Sequence, residues 1–434
     1  MNSKHLIVIS FDAVSSDDIE KLQKLNNFKY LIDNGSLIKN VESVYPTLTY
    51  PAHATIMTGM YPKNHGIINN TLNKFSDSNP NWYWYKKYIK TKTLCDLAYE
   101  NGLTTAALLW PVSGRSKINY NLTEIFPTKS WHNQLLMSSL SGSLNYQLDL
   151  NKKFGYLRKG ISQPALDNFV HESSKYTISK YKPNLLFIHY TDVDTNRHYH
   201  GYDSTEANNA LVRHDKRLGE IIKSLKENNI FEDSTIVALG DHSALDGNYI
   251  IRLNSLFREN GLLKINEKGV IKSYQAVAKS CDGSSYIYLK DKNNTETYNK
   301  VYKILESLIN STEGPIEFVL TSNEASSFGA DPNCTFMVEA NKNFYFVDEV
   351  FGKVVEGVIE DEVGIVSHRT KATHGYHPKK PNYGTFFLAF GCGIKKGVEV
   401  NGGKLINHGP TLAKLLGVDL GKTDGIAEDR ILDL

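Results

Sequence analysis

The pattern of apolar runs predicts an α/β protein: a doubly wound, mostly parallel sheet with helices on both faces and inserted lid and cap segments. Two observations predict it. Short runs rich in Val, Ile, Leu and Phe at residues 6–11, 104–109, 185–190, 235–239 and 385–390 lack any polar face, as parallel strands covered on both sides must. Amphipathic stretches stand between these runs, and strands alternating with helices give a doubly wound sheet.

Taken in order, the first strand at 6–11 is far too short to span a bilayer and stops at Asp12. Residues 17–32 read as a helix with Ile19, Leu22, Leu25 and Phe28 on one side. Residues 206–227 read the same way through Leu211, Leu218, Ile222 and Leu225. Near the end, Asn407-His408-Gly409-Pro410 precedes TLAKLLG, so Pro410 falls in a first helical turn and Gly417 is the stop. Two regions fit this scheme poorly. Residues 70–91, with NPNWYWYKKY, and 247–367, charged and Asn-rich, are expected above the sheet as lid and cap, leaving 1–246 and 368–434 as the core.

Composition narrows the function classes. Lys and Arg number 49 against 47 Asp and Glu, a formal charge of +2, which removes the electrostatic case for a nucleic-acid duplex as partner. With no signal-peptide pattern and no apolar run long enough to cross a bilayer, a cytoplasmic protein without a membrane partner is expected. Cys95, Cys281, Cys334 and Cys392 lie far apart without CxxC pairing, which suits reduced core thiols.

In an open parallel sheet, ligands gather beyond the carboxyl ends of the strands. Asp12 follows the first run; Asp192 and Asp194 follow LLFIHY, with His198 four residues beyond Asp194. Asp241 and His242 follow TIVALG, and His374 lies in ATHGYHP ahead of the last run. Singly, each has an ordinary explanation as a turn, cap or solvated loop residue. Together they offer enough N and O ligands for two divalent ions, and the absence of thiolates points to zinc first, then manganese or iron.

A nucleophile candidate lies in VYPTLTYPAHATIMTGMYPKNHGIINN, where Pro51 suits a first helical position and Thr49 stands just before it. Thr49 as an N-cap is one sufficient reading. The other is a hydroxyl at a helix N-terminus which, touching a metal, loses its proton near neutral pH. Both stay open here.

These motifs resemble the alkaline phosphatase superfamily, and within it the nucleotide pyrophosphatase/phosphodiesterase family, from residue 6 to about 246 and again from 374 onward. PTLTYPAH is similar to the family's PTxTFPNH, which places the nucleophile on Thr49 rather than Thr47. HGIINN is similar to HGIxDN, whose last residue, here Asn70, aids the phosphoryl oxygens. DTNRH resembles DSSGH, DHSAL resembles SDHGM, HGYHP resembles HGYDN, and WPVSG at Trp110 resembles WPGS. Trp82, Tyr83 and Trp84 fall where the family has NPxWYxGEPIW beside the substrate groove, either stacking on a base or packing the lid.

The resemblance implies an alkaline phosphatase-like core with two metals, one held by Asp12, Thr49, Asp241 and His242, the other by Asp194, His198 and His374. It implies a two-step displacement through a phospho-threonine, with developing charge met by both ions, Asn70 and the backbone N–H of Tyr50. A small phosphodiester or nucleotide is the implied substrate. A phosphomonoesterase, a phosphonate hydrolase or a non-catalytic nucleotide-binding relative are the alternatives. Ala52, Arg197 and His377 depart from the family's residues without removing a ligand, and Arg197 beside the site is expected either to meet an extra anionic group or to be solvated. His53 and His65 receive no catalytic role.

Overall fold

Every residue of β1 (His5–Phe11) beyond His5 is buried, because the strand lies in the interior of a sheet covered on both faces. The computed structural model describes residues 3–310 and 314–434. In chain order the core continues with β2 (Ser36–Glu42), β3 (Thr105–Leu108), β4 (Tyr120–Leu122), β5 (Leu185–Tyr190) and β6 (Ser234–Leu239). The chain then leaves the core to form β7 (Leu245–Ile251), β8 (Leu263–Ile265), β9 (Ile271–Tyr274), β10 (Ala276–Cys281) and β11 (Ser284–Leu289). Next come β12 (Ile316–Thr321), β13 (Phe336–Ala340), β14 (Asn343–Phe346), β15 (Val355–Gly357) and the two-residue β16 (Ala372–Thr373). It returns through β17 (Thr385–Gly391) and β18 (Val398–Lys404).

The core sheet has eight strands in the order β18-β2-β17-β6-β1-β5-β3-β4. Alternate side chains of β1 point to opposite faces, so Leu6 and Val8 pack with the helices Thr49–Thr58 and His408–Leu416. Ile7, Ile9 and Phe11 pack on the other face with the helices Asn26–Asn34, Ala165–Tyr181 and Thr205–Glu227. Each such side chain contributes roughly 1.5–3 kcal/mol by leaving water. The smaller sheets enclose a third cluster, which reaches down to Tyr45 and Leu48 just ahead of the helix Thr49–Thr58.

Two expectations need correction. The run at 385–390 is a strand, but β17 is antiparallel to both β6 and β2. An apolar run reports burial on two faces, not direction; β17 begins at the edge where β6 ends, since Phe387 pairs with Leu239. The helix expected over 17–32 is broken into a 3-10 turn at Ser16–Asp18, a single turn at Ile19–Leu22 and the helix Asn26–Asn34. The restart is set by a distant residue: Asp215 Oδ1 accepts the N–H groups of Asn27 and Phe28, each at 2.9 Å, and so caps that helix. The helix expected over 206–227 spans Thr205–Glu227 with Ser204 as its cap, and Gly417 ends the last helix with φ 77°. No disulfide joins the four cysteines, of which Cys95, Cys281 and Cys334 are buried. Among the described residues no helix is long and apolar enough to cross a membrane.

Candidate functional site

β6, β1 and β5 are adjacent and parallel, so their carboxyl ends lie side by side and the residues just beyond them meet. Asp12 Oδ1 and Asp241 Oδ2 each lie 3.3 Å from His242 Nε2. The helix Asp192–His200 puts Asp194 and His198 one turn apart, with Asp194 Oδ1 3.3 Å from His198 Nε2 and 3.8 Å from His374 Nε2. These are two triads whose donor atoms could each hold a metal ion. His242 and His374 stack with ring centroids 4.0 Å apart, so the triads share a wall.

Asp12 Oδ1, Asp194 Oδ1 and Asp241 Oδ2 are buried and accept no hydrogen bond from the described residues. All three face the imidazoles. His242 Nδ1 lies 3.1 Å from the Ser243 carbonyl, His198 Nδ1 2.8 Å from that of Ala372, and His374 Nδ1 3.2 Å from that of Thr47. A carbonyl only accepts, so each Nδ1 carries a proton and donates, which aims each Nε2 at the carboxylates in the orientation of a metal-binding histidine. Burial, then the neighbouring carboxylates, pushes Asp12 up to about 7, and burial likewise pushes Asp241 up to about 7. Burial opposes charge on His198, but the adjacent Asp194 outweighs it and raises the imidazole to about 9; burial and His242 push His374 down to about 3. Crowded carboxylates with unused lone pairs are what divalent cations would satisfy, so the donor set fits them. A third grouping, His171, Glu172 and Glu220, is already neutralised by Lys175, which lies 2.7 Å from Glu172 and 2.9 Å from Glu220.

Thr49 is the first residue of the helix Thr49–Thr58, and Leu48 is its N-cap. The Thr49 hydroxyl takes no helix N–H; Oγ1 sits 3.2 Å from His242 Nε2, at the mouth of the first triad. This removes the capping explanation. Thr47 Oγ1 is spent on the Tyr376 carbonyl and the Tyr383 hydroxyl, both at 2.9 Å. Asn70 approaches the same helix end, with its Oδ1 accepting the Tyr50 N–H at 3.0 Å. That N–H was expected to meet phosphoryl oxygens; here it orients the Asn70 amide instead.

Two supports stand behind the triads that the sequence motifs did not single out. His189, buried inside LLFIHY, lies 3.0 Å from Asp12 Oδ2 through Nε2, while its Nδ1 lies 3.1 Å from the Leu109 carbonyl and 3.4 Å from Glu124 Oε2. Glu124 Oε1 in turn accepts the Tyr50 hydroxyl at 3.3 Å. A histidine within an otherwise apolar strand was the available signal. His53, with Nδ1 2.8 Å from the Thr49 carbonyl and Nε2 3.0 Å from Ser10 Oγ, holds the helix Thr49–Thr58 to β1.

The remaining expected residues divide. Trp82 stands edge-on to Tyr50 at 5.1 Å and to Phe126 at 5.1 Å, within reach of the site. Tyr83 is largely buried against Tyr88 and lines a cavity of about 280 Å³ with Lys63, Lys90 and Asn333. Asp192 is turned away, held by Arg213 at 2.7 Å and Arg217 at 2.8 Å. Arg197 is a correction. It meets neither solvent nor the triads: it is 1% exposed, its guanidinium pairs with Asp18 at 2.7 and 2.9 Å, donates to the carbonyls of Ala13 and Tyr202, and covers the Tyr202 ring. His377 packs among Tyr45, Phe318 and Phe328, outside the triads.

Comparison with known proteins identifies the family. A family model described as type I phosphodiesterase / nucleotide pyrophosphatase matches residues 6–377. Venom phosphodiesterase 2 of Crotalus adamanteus is 26% identical over 290 residues, covering 62% of this chain and 31% of the relative. Human ectonucleotide pyrophosphatase/phosphodiesterase family member 5 is 24% identical over 247 residues, covering 56% of this chain and 45% of the relative. The matched stretch thus spans a third to a half of these relatives. The murine member 5, solved as an inactive threonine-to-alanine variant in complex with AMP, superposes with a TM-score of 0.67 at 18% identity, covering 99% of this chain and 100% of that one. The chain therefore belongs to the type I phosphodiesterase / nucleotide pyrophosphatase family, a family of hydrolases.

Proposed function

We propose that this chain is a metal-dependent phosphodiesterase or nucleotide pyrophosphatase that cleaves phosphate diester or phosphoanhydride bonds of small nucleotide-like substrates through a phospho-threonine on Thr49. One observation carries the reading: three buried carboxylate oxygens without hydrogen bonds converge with three oriented imidazoles beside a threonine hydroxyl that caps nothing. The names of the relatives and the AMP bound to the murine one support the substrate class.

Asp12, Thr49, Asp241 and His242 would hold one cation, and Asp194, His198 and His374 the other; carboxylate and imidazole donors without thiolate suit zinc, with manganese or iron as alternatives. Bound cations supply Lewis acidity, which favours the Thr49 alkoxide and offsets charge on the phosphoryl oxygens. The positive end of the helix Thr49–Thr58 favours the same alkoxide. Thr49 Oγ1 attacks phosphorus in line, the new O–P bond forming as the bond to the leaving alcohol or phosphate breaks on the opposite side. With Oδ1 held by the Tyr50 N–H, the Asn70 amide presents its NH2 as a donor to a non-bridging oxygen. Water then cleaves the phospho-threonine and returns the hydroxyl.

Thr49→Ala is expected to lower turnover of the p-nitrophenyl diester of thymidine monophosphate at least about a thousandfold, while bound metal measured by plasma mass spectrometry stays near the wild-type level. An active alanine variant removes Thr49 as nucleophile. A wild-type preference for p-nitrophenyl phosphate over the diester overturns the substrate class and leaves the metal centre standing.

A further inference from the structure

Away from the triads, residues 131–161 bear seven of the large apolar side chains that the molecule leaves exposed. Trp131 is 77% exposed, and Leu136, Leu140, Leu144 and Leu148 are between 47% and 59% exposed. Leu136 and Leu140 are four residues apart at the helix Gln134–Ser139, and Leu144 and Leu148 are four apart on the helix Leu144–Phe154. Four-residue spacing puts each pair on one helix face. The other face of the second helix is accounted for, with Tyr146, Gln147 and Leu150 buried.

Charge distinguishes this surface from an incidental apolar patch. Residues 128–161 hold five basic side chains (Lys129, Lys152, Lys153, Arg158, Lys159) against one acidic, Asp149, a net +4, whereas the whole chain carries only +2. Asp149 is taken by Lys180, and Lys129 by Asp77. Lys152, one turn beyond Leu148 on the same stripe, and Lys153 and Lys159 are exposed and pair with no carboxylate among the described residues. The residues just ahead of this segment approach the candidate site, Phe126 packing against Trp82 and Glu124 accepting the Tyr50 hydroxyl.

We propose that this surface docks peripherally on an anionic lipid bilayer, Trp131 and the four leucines entering the headgroup boundary while Lys152, Lys153 and Lys159 meet anionic headgroups. Leucines at helical spacing, an indole and long-stemmed lysines are the composition of an interfacial surface. Aliphatic side chains outnumber aromatic ones here, five of the seven exposed apolar residues being leucine or isoleucine, which suits a lipid boundary better than the stacked aromatic platforms of a nucleic-acid surface. The surface was not legible as a membrane span because it is no span: its apolar residues are spaced, not continuous.

The test is flotation of the full chain with vesicles of phosphatidylcholine alone or with about 30% phosphatidylserine. The wild type is expected to float with the anionic vesicles and to bind at least about tenfold more weakly to the neutral ones or in high salt. The triple variant Leu140→Ser, Leu144→Ser, Leu148→Ser should lose binding, and Lys152→Glu with Lys153→Glu should weaken it at least about tenfold. These positions are exposed, so both variants should keep the wild-type melting temperature and hydrolysis of a soluble diester. Failure of the wild type to float, or flotation unchanged by the leucine substitutions, overturns the proposal. So does a dimer in sedimentation equilibrium that those substitutions dissociate, with no lipid binding, since the patch is then a subunit interface.

Discussion

Arg197 and His198 are neighbours in the chain, yet one serves the fold and the other the candidate site. Successive residues on a helix point about 100° apart, so on the helix Asp192–His200 the imidazole that joins Asp194 forces the guanidinium next to it toward Asp18. Arg197→Met leaves the buried Asp18 carboxylate without its partner and is expected to cost about 3–5 kcal/mol in urea unfolding. Activity per folded molecule and KM should stay close to wild type. A raised KM at unchanged stability would return Arg197 to the substrate. At this scale the residues that gather in the two triads were legible because polar residues ending buried strands stand out, whereas the Thr49 hydroxyl's choice between capping and facing His242 was not. A side-chain torsion decides that, and torsions leave no trace in residue order.

At the scale of elements, close approach explains the glycine ahead of Asp241. A Cβ on Gly240 would lie 2.0 Å from the Val14 carbonyl and 2.2 Å from Thr385 Oγ1, so β6 can bring Asp241 against Asp12 only without a side chain there. Gly240→Ala is expected to cost about 1–3 kcal/mol and to lower bound metal and turnover together. Retained metal with normal turnover would refute this. Gly375, with φ +86° and a built Cβ 1.7 Å from the Cys281 carbonyl, plays the same part between His374 and the turn joining β10 to β11. The joint between helices Thr49–Thr58 and Pro62–His65 carries a pH dependence. Burial pushes the His65 imidazole down to about 3, and its Nδ1 accepts the Ile67 N–H at 3.1 Å, which demands the neutral ring. The unfolded chain titrates near 6.5, so this contribution is complete above that pH. It is lost on acidification toward pH 3, at about 1.4 kcal/mol per pH unit for one proton. His65→Asn should flatten the slope of unfolding free energy between about pH 6 and 4 by one proton's worth; an unchanged slope means His65 is not its source. Direction and interruption of elements were the illegible part. β17 looked like its parallel neighbours because all are buried on both faces, and the break ahead of Asn26 depends on Asp215, nearly 190 residues away.

Across the whole molecule, the proposed ligand atoms come from the ends of β1 and β6, the helix after β5, the helix Thr49–Thr58 and the loop between β16 and β17. Bound cations should therefore tie that last loop to the core. Chelation is expected to lower the melting temperature and zinc to restore it with the logarithm of its free concentration, a stabilisation of about 2.7 kcal/mol at a hundredfold excess over Kd. Hydrogen exchange should accelerate first around residues 368–377; a melt indifferent to both chelator and zinc contradicts the metal assignment. The sequence by itself determined five of the eight strands of the central sheet and which residues crowd its carboxyl edge, since burial on two faces leaves an unbroken apolar pattern and adjacent parallel strands must end together; β2, β4 and β18, which lie at or near the sheet's edges, carry no such run. Only the tertiary structure decided that β17 runs backward, that Arg197 belongs to Asp18, that His189 stands behind Asp12, and that a stripe of leucines faces outward. Each of these is a relation between segments far apart in the chain. The local pattern of either segment is identical whichever way the relation falls, so folding alone could choose.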